Sequence, residues 1–127
     1  MFWRRVLFLA LMVVFFVSAV EAWAADIVGQ YTLRGSNPGS KGQYTGTAMV
    51  ERKGETYSVG WKIGNQQLLG TGILKDTSFA VVYTARNSKK APGLILYEIL
   101  PDGSLVGKFT SLGGTALGGE IWTPIAK

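Results

Sequence analysis

Few side chains in this sequence have chemistry to offer. The stretch Gly114–Pro124, GTALGGEIWTP, isolates one of them: the carboxylate of Glu120 stands among glycines and apolar residues. If Trp122 points into a core, Glu120 does too, because side chains two apart along a strand share a face. An inward carboxylate is costly unless it is hydrogen-bonded. Three roles are open to it: acceptor for a ligand's N–H, structural acid held by a tyrosine hydroxyl or backbone amide, or ordinary surface charge if Leu117 and Ile121 face inward instead. The remaining acids, Glu51, Glu55, Asp76, Glu98 and Asp102, are scattered over strands and turns. No two of them fall together as a glycosidase pair would require, and they do not cluster as a carboxylate metal site does. Histidine and cysteine are absent, which removes the Ser-His-Asp triad, the thiol–imidazole dyad and every histidine-based zinc or iron site. The expectation is a protein that binds without catalysis, with no catalytic residue, metal ligand or cofactor.

Two further groups of residues bear on binding. Tyr31, Tyr44, Tyr57, Tyr83 and Tyr97 alternate onto the same faces as Trp61 and Phe109. Rings with polar tips line ligand cavities; they also simply fill the interior of a small barrel. Tyr31, Tyr44, Trp61 and Tyr83, with Glu120 as polar anchor and Trp122 beside it, form the candidate ligand-binding set. The segment ARNSKKAPG, Ala85–Gly93, gathers Arg86, Lys89 and Lys90 in what reads as the longest connection. It is either a solvated loop or a contact for an anionic or macromolecular partner. It has no interleaved aromatic residues of the kind that bind nucleic acid.

These residues need elements to hold them. IVGQYTLRG, YTGTAMVE, TYSVGWKIG, LLGTGIL, FAVVYT, LILYEI, LVGKFT and ALGGEIW alternate with period two, the pattern of half-buried strands. Between them lie SNPGSKG, RKGE, GNQQ, KDTS, RNSKKAPG, PDG and SLGGT, all rich in turn formers. No helical pattern interrupts the eight runs. Sequential antiparallel strands remove their exposed edges by closing into an up-and-down barrel, so the expected fold class is all-β, an eight-stranded antiparallel barrel, with a two-sheet β-sandwich as the alternative. Glycines within the strands suit bends and close backbone approach.

The domain is expected over residues 25–127. Residues 1–24 read as a secretory signal peptide: Arg4 and Arg5, then an apolar run, then Ala22-Trp23-Ala24 as cleavage site. The apolar run falls short of the roughly 20 residues a membrane span requires, so no stable membrane span is expected after cleavage. The strand-like runs, about 6–9 residues with polar second faces, also fit poorly the roughly 9–11 residues and apolar outer band of an outer-membrane barrel. Export without cysteine leans towards the bacterial envelope, periplasmic or secreted. Without the leader the net charge is about +4, which favours anionic surfaces without requiring one.

The spacing G-x-Y-x-x-x-G-S at Gly29–Ser36, the run GQYTGTAMV, and VGKFT followed by GGEIWT resemble the first, second and final strands of avidin-type barrels. A broader similarity extends to lipocalin-like barrels. The resemblance implies a small secreted eight-stranded barrel with a ligand in its mouth. The biotin-binding pattern is not kept, because Leu33 stands where that family has an asparagine. The functional expectation is an exported protein holding a small apolar or heterocyclic ligand. The alternative is a protein- or polymer-interaction module, for adhesion, matrix binding or hydrolase inhibition, that uses its outer surface and the basic 86–90 loop.

Overall fold

The computed structural model describes residues 26–126. The expected leader, residues 1–24, lies outside the described residues. Eight strands follow in order: β1 (Gly29–Ser36), β2 (Tyr44–Lys53), β3 (Thr56–Ile63), β4 (Gln66–Lys75), β5 (Ser78–Ala85), β6 (Gly93–Ile99), β7 (Leu105–Ser111) and β8 (Gly118–Pro124). Each pairs antiparallel with its neighbour, and β1 also pairs with β8 through a register that sets Leu33 opposite Trp122. That last pairing closes the barrel and excludes the sandwich. The closed eight-stranded barrel is the fold that the avidin and lipocalin resemblance implies.

Alternation decides which side chains fill it. Tyr31, Leu33, Ala48, Val50, Val59, Trp61, Phe79, Val81, Ile95, Tyr97, Leu105, Phe109 and Trp122 are buried, all at the inward positions of their strands. The outer face is less uniform than the period-two rule predicts. It is polar on β1–β3 apart from Met49, but on β4–β6 it exposes Leu69, Ile73, Val82, Leu94 and Leu96.

The barrel interior is narrow for so many rings, and the register shows how they fit. In four cross-strand pairs an inward glycine is covered by the inward aromatic directly opposite it: Gly35 by Tyr44, Gly93 by Tyr83, Gly107 by Tyr97 and Gly118 by Phe109, while Gly70 and Gly72 also face aromatic residues, Tyr83 and Tyr57. Each of the four covering rings lies over its glycine so closely that a Cβ there would fall 2.1–2.6 Å from a ring atom. Room for a ring, rather than a bend, is therefore what Gly118 supplies. The rings then make a continuous column. Tyr57 meets Phe79 at 5.8 Å between centroids, Phe79 meets Tyr97 at 6.2 Å, and Tyr97 meets Trp122 at 4.6 Å. Trp122 meets Trp61 at 6.0 Å, and Trp61 meets Tyr83 at 5.7 Å.

The two ends of the barrel differ. At one end the strands are joined by 54–55, 76–77 and 100–104, and Ile27, 1% exposed, plugs the opening. The Tyr31 hydroxyl donates to the Ile27 carbonyl at 2.7 Å and fixes the plug. The left-handed φ of Gly54, 61°, suits the two-residue hairpin there. At the other end lie 37–43, 64–65, 86–92 and 112–117. The basic connection, 86–92, is no longer than 37–43, so it is not the single longest loop. Tyr44, Ile63, Leu68 and Tyr83, near this second end, are only partly buried against the core.

Gly107→Ala is expected to drive a methyl into the Tyr97 ring and destabilise the barrel by about 1–3 kcal/mol. Gly60→Ala, at an outward position with nothing within 4 Å of the added carbon, is expected to stay within about 0.5 kcal/mol of the parent. Urea denaturation midpoints of the two variants check the contrast.

Candidate functional site

Glu120 is inward and 4% exposed, the buried acid among the described residues. Its place is set by one row of the sheet that crosses five strands. Tyr44 on β2 faces Gly35 on β1, Gly35 faces Glu120 on β8, Glu120 faces Gly107 on β7, and Gly107 faces Tyr97 on β6. The carboxylate thus has a glycine on each side. Each glycine is overlain by a tyrosine from the next strand, and both phenols reach the carboxylate. Tyr44 donates its hydroxyl to Oε2 at 2.8 Å, and Tyr97 donates to Oε1 at 3.1 Å. From the facing wall the Trp61 indole N–H donates to Oε1 at 3.0 Å, and the indole of Trp122, two residues along the same strand, also donates to Oε1.

Indole N–H groups are donors only. Two indoles and two phenols converging on one group require an acceptor, which is what a carboxylate supplies. Hydrogen bonds to a charged partner are worth more than neutral ones, about 1.5–3 kcal/mol each, and together they offset the cost of burying the acid. Of the three roles open from the sequence, the surface charge is excluded, and in this structure the partners of Glu120 are protein donors. The phenols respond in turn. Burial first, then the nearby Glu120 charge, raises Tyr44, Tyr83 and Tyr97 above the usual phenol range. Burial, with a smaller effect from Asp26, raises Tyr31.

Above this cluster, at the end bounded by the 37–43 and 86–92 connections, the interior is not filled. A cavity of about 140 Å³ opens there. Glu120 and Tyr44 form its polar floor, and Trp61, Ile63, Leu68, Tyr83, Ile95 and Phe109 its walls, with Asn37 and Gln66 at the lip. It continues outward into a vestibule lined by Asn37, Gln66, Tyr83, Ala85, Lys90 and Ser111.

The candidate residues separate accordingly. Tyr44, Trp61, Tyr83 and Glu120 meet at the cavity. Tyr31 does not, since its hydroxyl is turned to Ile27 at the plugged end. Trp122 is fully buried in the ring column and donates to Glu120 from within. Lys90 lines the vestibule. Arg86 is held at the rim, its backbone N–H donating to the Gln67 carbonyl at 2.8 Å and its guanidinium to the Gln67 side chain at 3.0 Å. Lys89 is exposed in the same loop. Asn37 and Ile95 were missed from the sequence, and so were Ile63, Leu68 and Gln66. The last three sit on the two sides of the tight turn at Gly64–Asn65, and only the strand direction reveals that this turn shares an end with the basic loop.

No protein-family model matches the chain, and no curated protein matches it.

Glu120→Gln replaces an acceptor oxygen with an amide N–H₂ facing donors. It is expected to cost about 2–4 kcal/mol in urea unfolding, against about 1 kcal/mol for Tyr44→Phe, which removes one donor at the cavity edge. The protein is also expected to weaken in alkali. In the unfolded chain the phenols ionise near their ordinary value of 10.0, while the folded protein holds the protons of Tyr31, Tyr44, Tyr83 and Tyr97 beyond it. Below that pH both states are protonated and this contribution is fully present. Above it the unfolded state releases protons first, so stability falls. Unfolding midpoints measured from about pH 9 to about pH 11 check this, with a step in phenolate absorbance at the unfolding transition as these four tyrosines are released.

Proposed function

We propose that the protein is an exported binding protein without catalytic activity, and that its open end takes a single-ring, heterocyclic group carrying an N–H donor. The observation that carries this reading is the cavity: an interior space of about 140 Å³ with a buried carboxylate at its floor. An apolar cavity of about 150 Å³ accepts one benzene-sized ring, so the space suits a ring and little more. Trp61, Ile63, Leu68, Ile95 and Phe109 supply apolar walls. Glu120 Oε1 already accepts from three donors, whereas Oε2 accepts from Tyr44 alone. A carboxylate oxygen offers two lone-pair directions, which leaves Oε2 able to accept from a ligand N–H. Lys90 in the vestibule favours an anionic or strongly polar substituent at the outer end of that ring. The mouth of a small barrel is a frequent place for such a ligand, and this matches what the avidin and lipocalin resemblance implies in general, with a different floor. Binding alone is the economical reading because the cavity is lined by one acid, and general acid–base work on a ligand needs a partner group that the lining does not supply.

Native mass spectrometry of the protein purified from its own host is expected to show an added small-molecule mass that is lost on denaturation. Leu68→Phe fills the cavity from its wall. This variant is expected to keep the melting temperature and lose the added mass. A parent protein that carries no ligand and shows no thermal shift with single-ring N–H heterocycles would refute the reading.

A further inference from the structure

The acidic residues are gathered at one end of the barrel. The exposed acids among the described residues are Asp26, Glu51, Glu55, Asp76, Glu98 and Asp102. All of them lie in, or within a few residues of, the segments at the plugged end: the approach to β1, the 54–55 and 76–77 turns, and the 100–104 connection. The ion pair between Lys53 and Glu51, 3.4 Å, is also at that end, as are Arg52 and Lys75, which leaves six acids against three cations there. The open end carries Lys41, Lys62, Arg86, Lys89 and Lys90, all exposed, and its connections contain no acid. The carboxylate nearest to them is Glu120, which is buried below the cavity.

Apolar side chains stand among these cations. Leu112 is 76% exposed and Leu117 62% exposed, the former the most exposed of the large apolar residues described. Both belong to the 112–117 connection. It is not free of the basic loop, because the Leu112 backbone N–H donates to the Pro92 carbonyl at 2.8 Å. The tie holds an exposed leucine beside the loop that presents Arg86, Lys89 and Lys90.

We infer that the open end of the barrel docks on the surface of an anionic phospholipid bilayer, with Lys41, Arg86, Lys89 and Lys90 over the headgroups and Leu112 and Leu117 entering the interface. Cations near a negatively charged leaflet are attracted to it individually, and apolar side chains among them add partition into the headgroup boundary. A soluble polyanion would satisfy the cations and leave the leucines without a role, which is why the bilayer is the better match. The acids at the far end do not oppose the approach. The barrel is longer than the screening length of about 8 Å at physiological salt: a strand of eight residues spans roughly 27 Å along its own direction. This docking does not depend on ligand binding in the cavity.

Flotation with phosphatidylglycerol–phosphatidylcholine vesicles tests the inference, with pure phosphatidylcholine vesicles as the comparison. The full chain and the chain beginning at Ala25 are run in parallel, so that the apolar leader cannot account for the result. The protein is expected to float with the anionic vesicles at low salt, to remain behind with the zwitterionic ones, and to release as salt rises. Substituting Lys41, Arg86, Lys89 and Lys90 by Ser is expected to lower partition by roughly fivefold per cation. Leu112→Ser with Leu117→Ser is expected to lower it by about tenfold or more with the salt dependence kept. All these side chains are exposed, and unchanged melting temperatures confirm that both variants fold. No flotation with anionic vesicles would overturn the inference. So would unchanged partition of the leucine variant, or release of the parent by a soluble polyphosphate as easily as by anionic lipid, because the surface would then be a general polyanion contact.

Discussion

One buried carboxylate organises the interior of this barrel. Glu120 gathers two phenols and two indoles that arrive from β2, β3, β6 and its own strand β8. Each of those rings would otherwise bury a polar tip without a partner, and Glu120 would otherwise bury a charge. Neither cost is tolerable alone in a space of low polarity. Together they form a closed set, and it holds only if the strands are in this register. A slip of one residue in β8 would turn Glu120 outward and every ring on its neighbours towards an empty place. The network therefore acts as a register lock as well as a stabilising contact.

The lock depends on what is missing as much as on what is present. Gly35 and Gly107 flank Glu120 in the sheet and carry no side chain that would keep the tyrosines away. The same device recurs where Gly93 receives Tyr83 and Gly118 receives Phe109. An eight-stranded barrel has an interior only wide enough for side chains. Laying each ring over the neighbouring strand's backbone lets it hold a column of aromatic residues without strain. The column is complete at the plugged end and stops short of the open end, and the cavity is the space where it stops.

The molecule is thus polar in two senses along one axis. Burial falls from the Ile27 plug to the partly buried side chains at the cavity, and the acids gather at the plugged end while the connections of the open end carry cations and no acid. Both gradients finish at the same connections, 37–43, 86–92 and 112–117. Loops carried by a rigid barrel can diverge without disturbing the core, so this is the end at which a binding function is least constrained by folding.

Much of the architecture was legible in the residues. Alternation marked eight strands and assigned the inward face of β1–β3 and β5–β7 correctly, because a period of two leaves only two ways to bury a strand, but it left both faces of β8 open. It also tied the orientation of Glu120 to that of Trp122 before any contact was known. What the sequence left open was of another kind. Closure through β1 and β8 joins residues almost a full chain apart, and no local pattern records it. The choice among ligand handle, structural acid and surface charge depended on which rings stand beside Glu120. Tyr44, Trp61 and Tyr97 lie 76, 59 and 23 residues away along the chain. The placement of Tyr31 at the plug, of Trp122 deep in the column and of the basic loop at the cavity mouth likewise depends on strand direction and barrel end. The sequence by itself determined the strands and the inner faces of most of them, since those follow from neighbours two residues apart. The tertiary structure alone decided which inner residues meet, which end stays open and where the charges collect, since those follow from pairings that only the closed barrel creates.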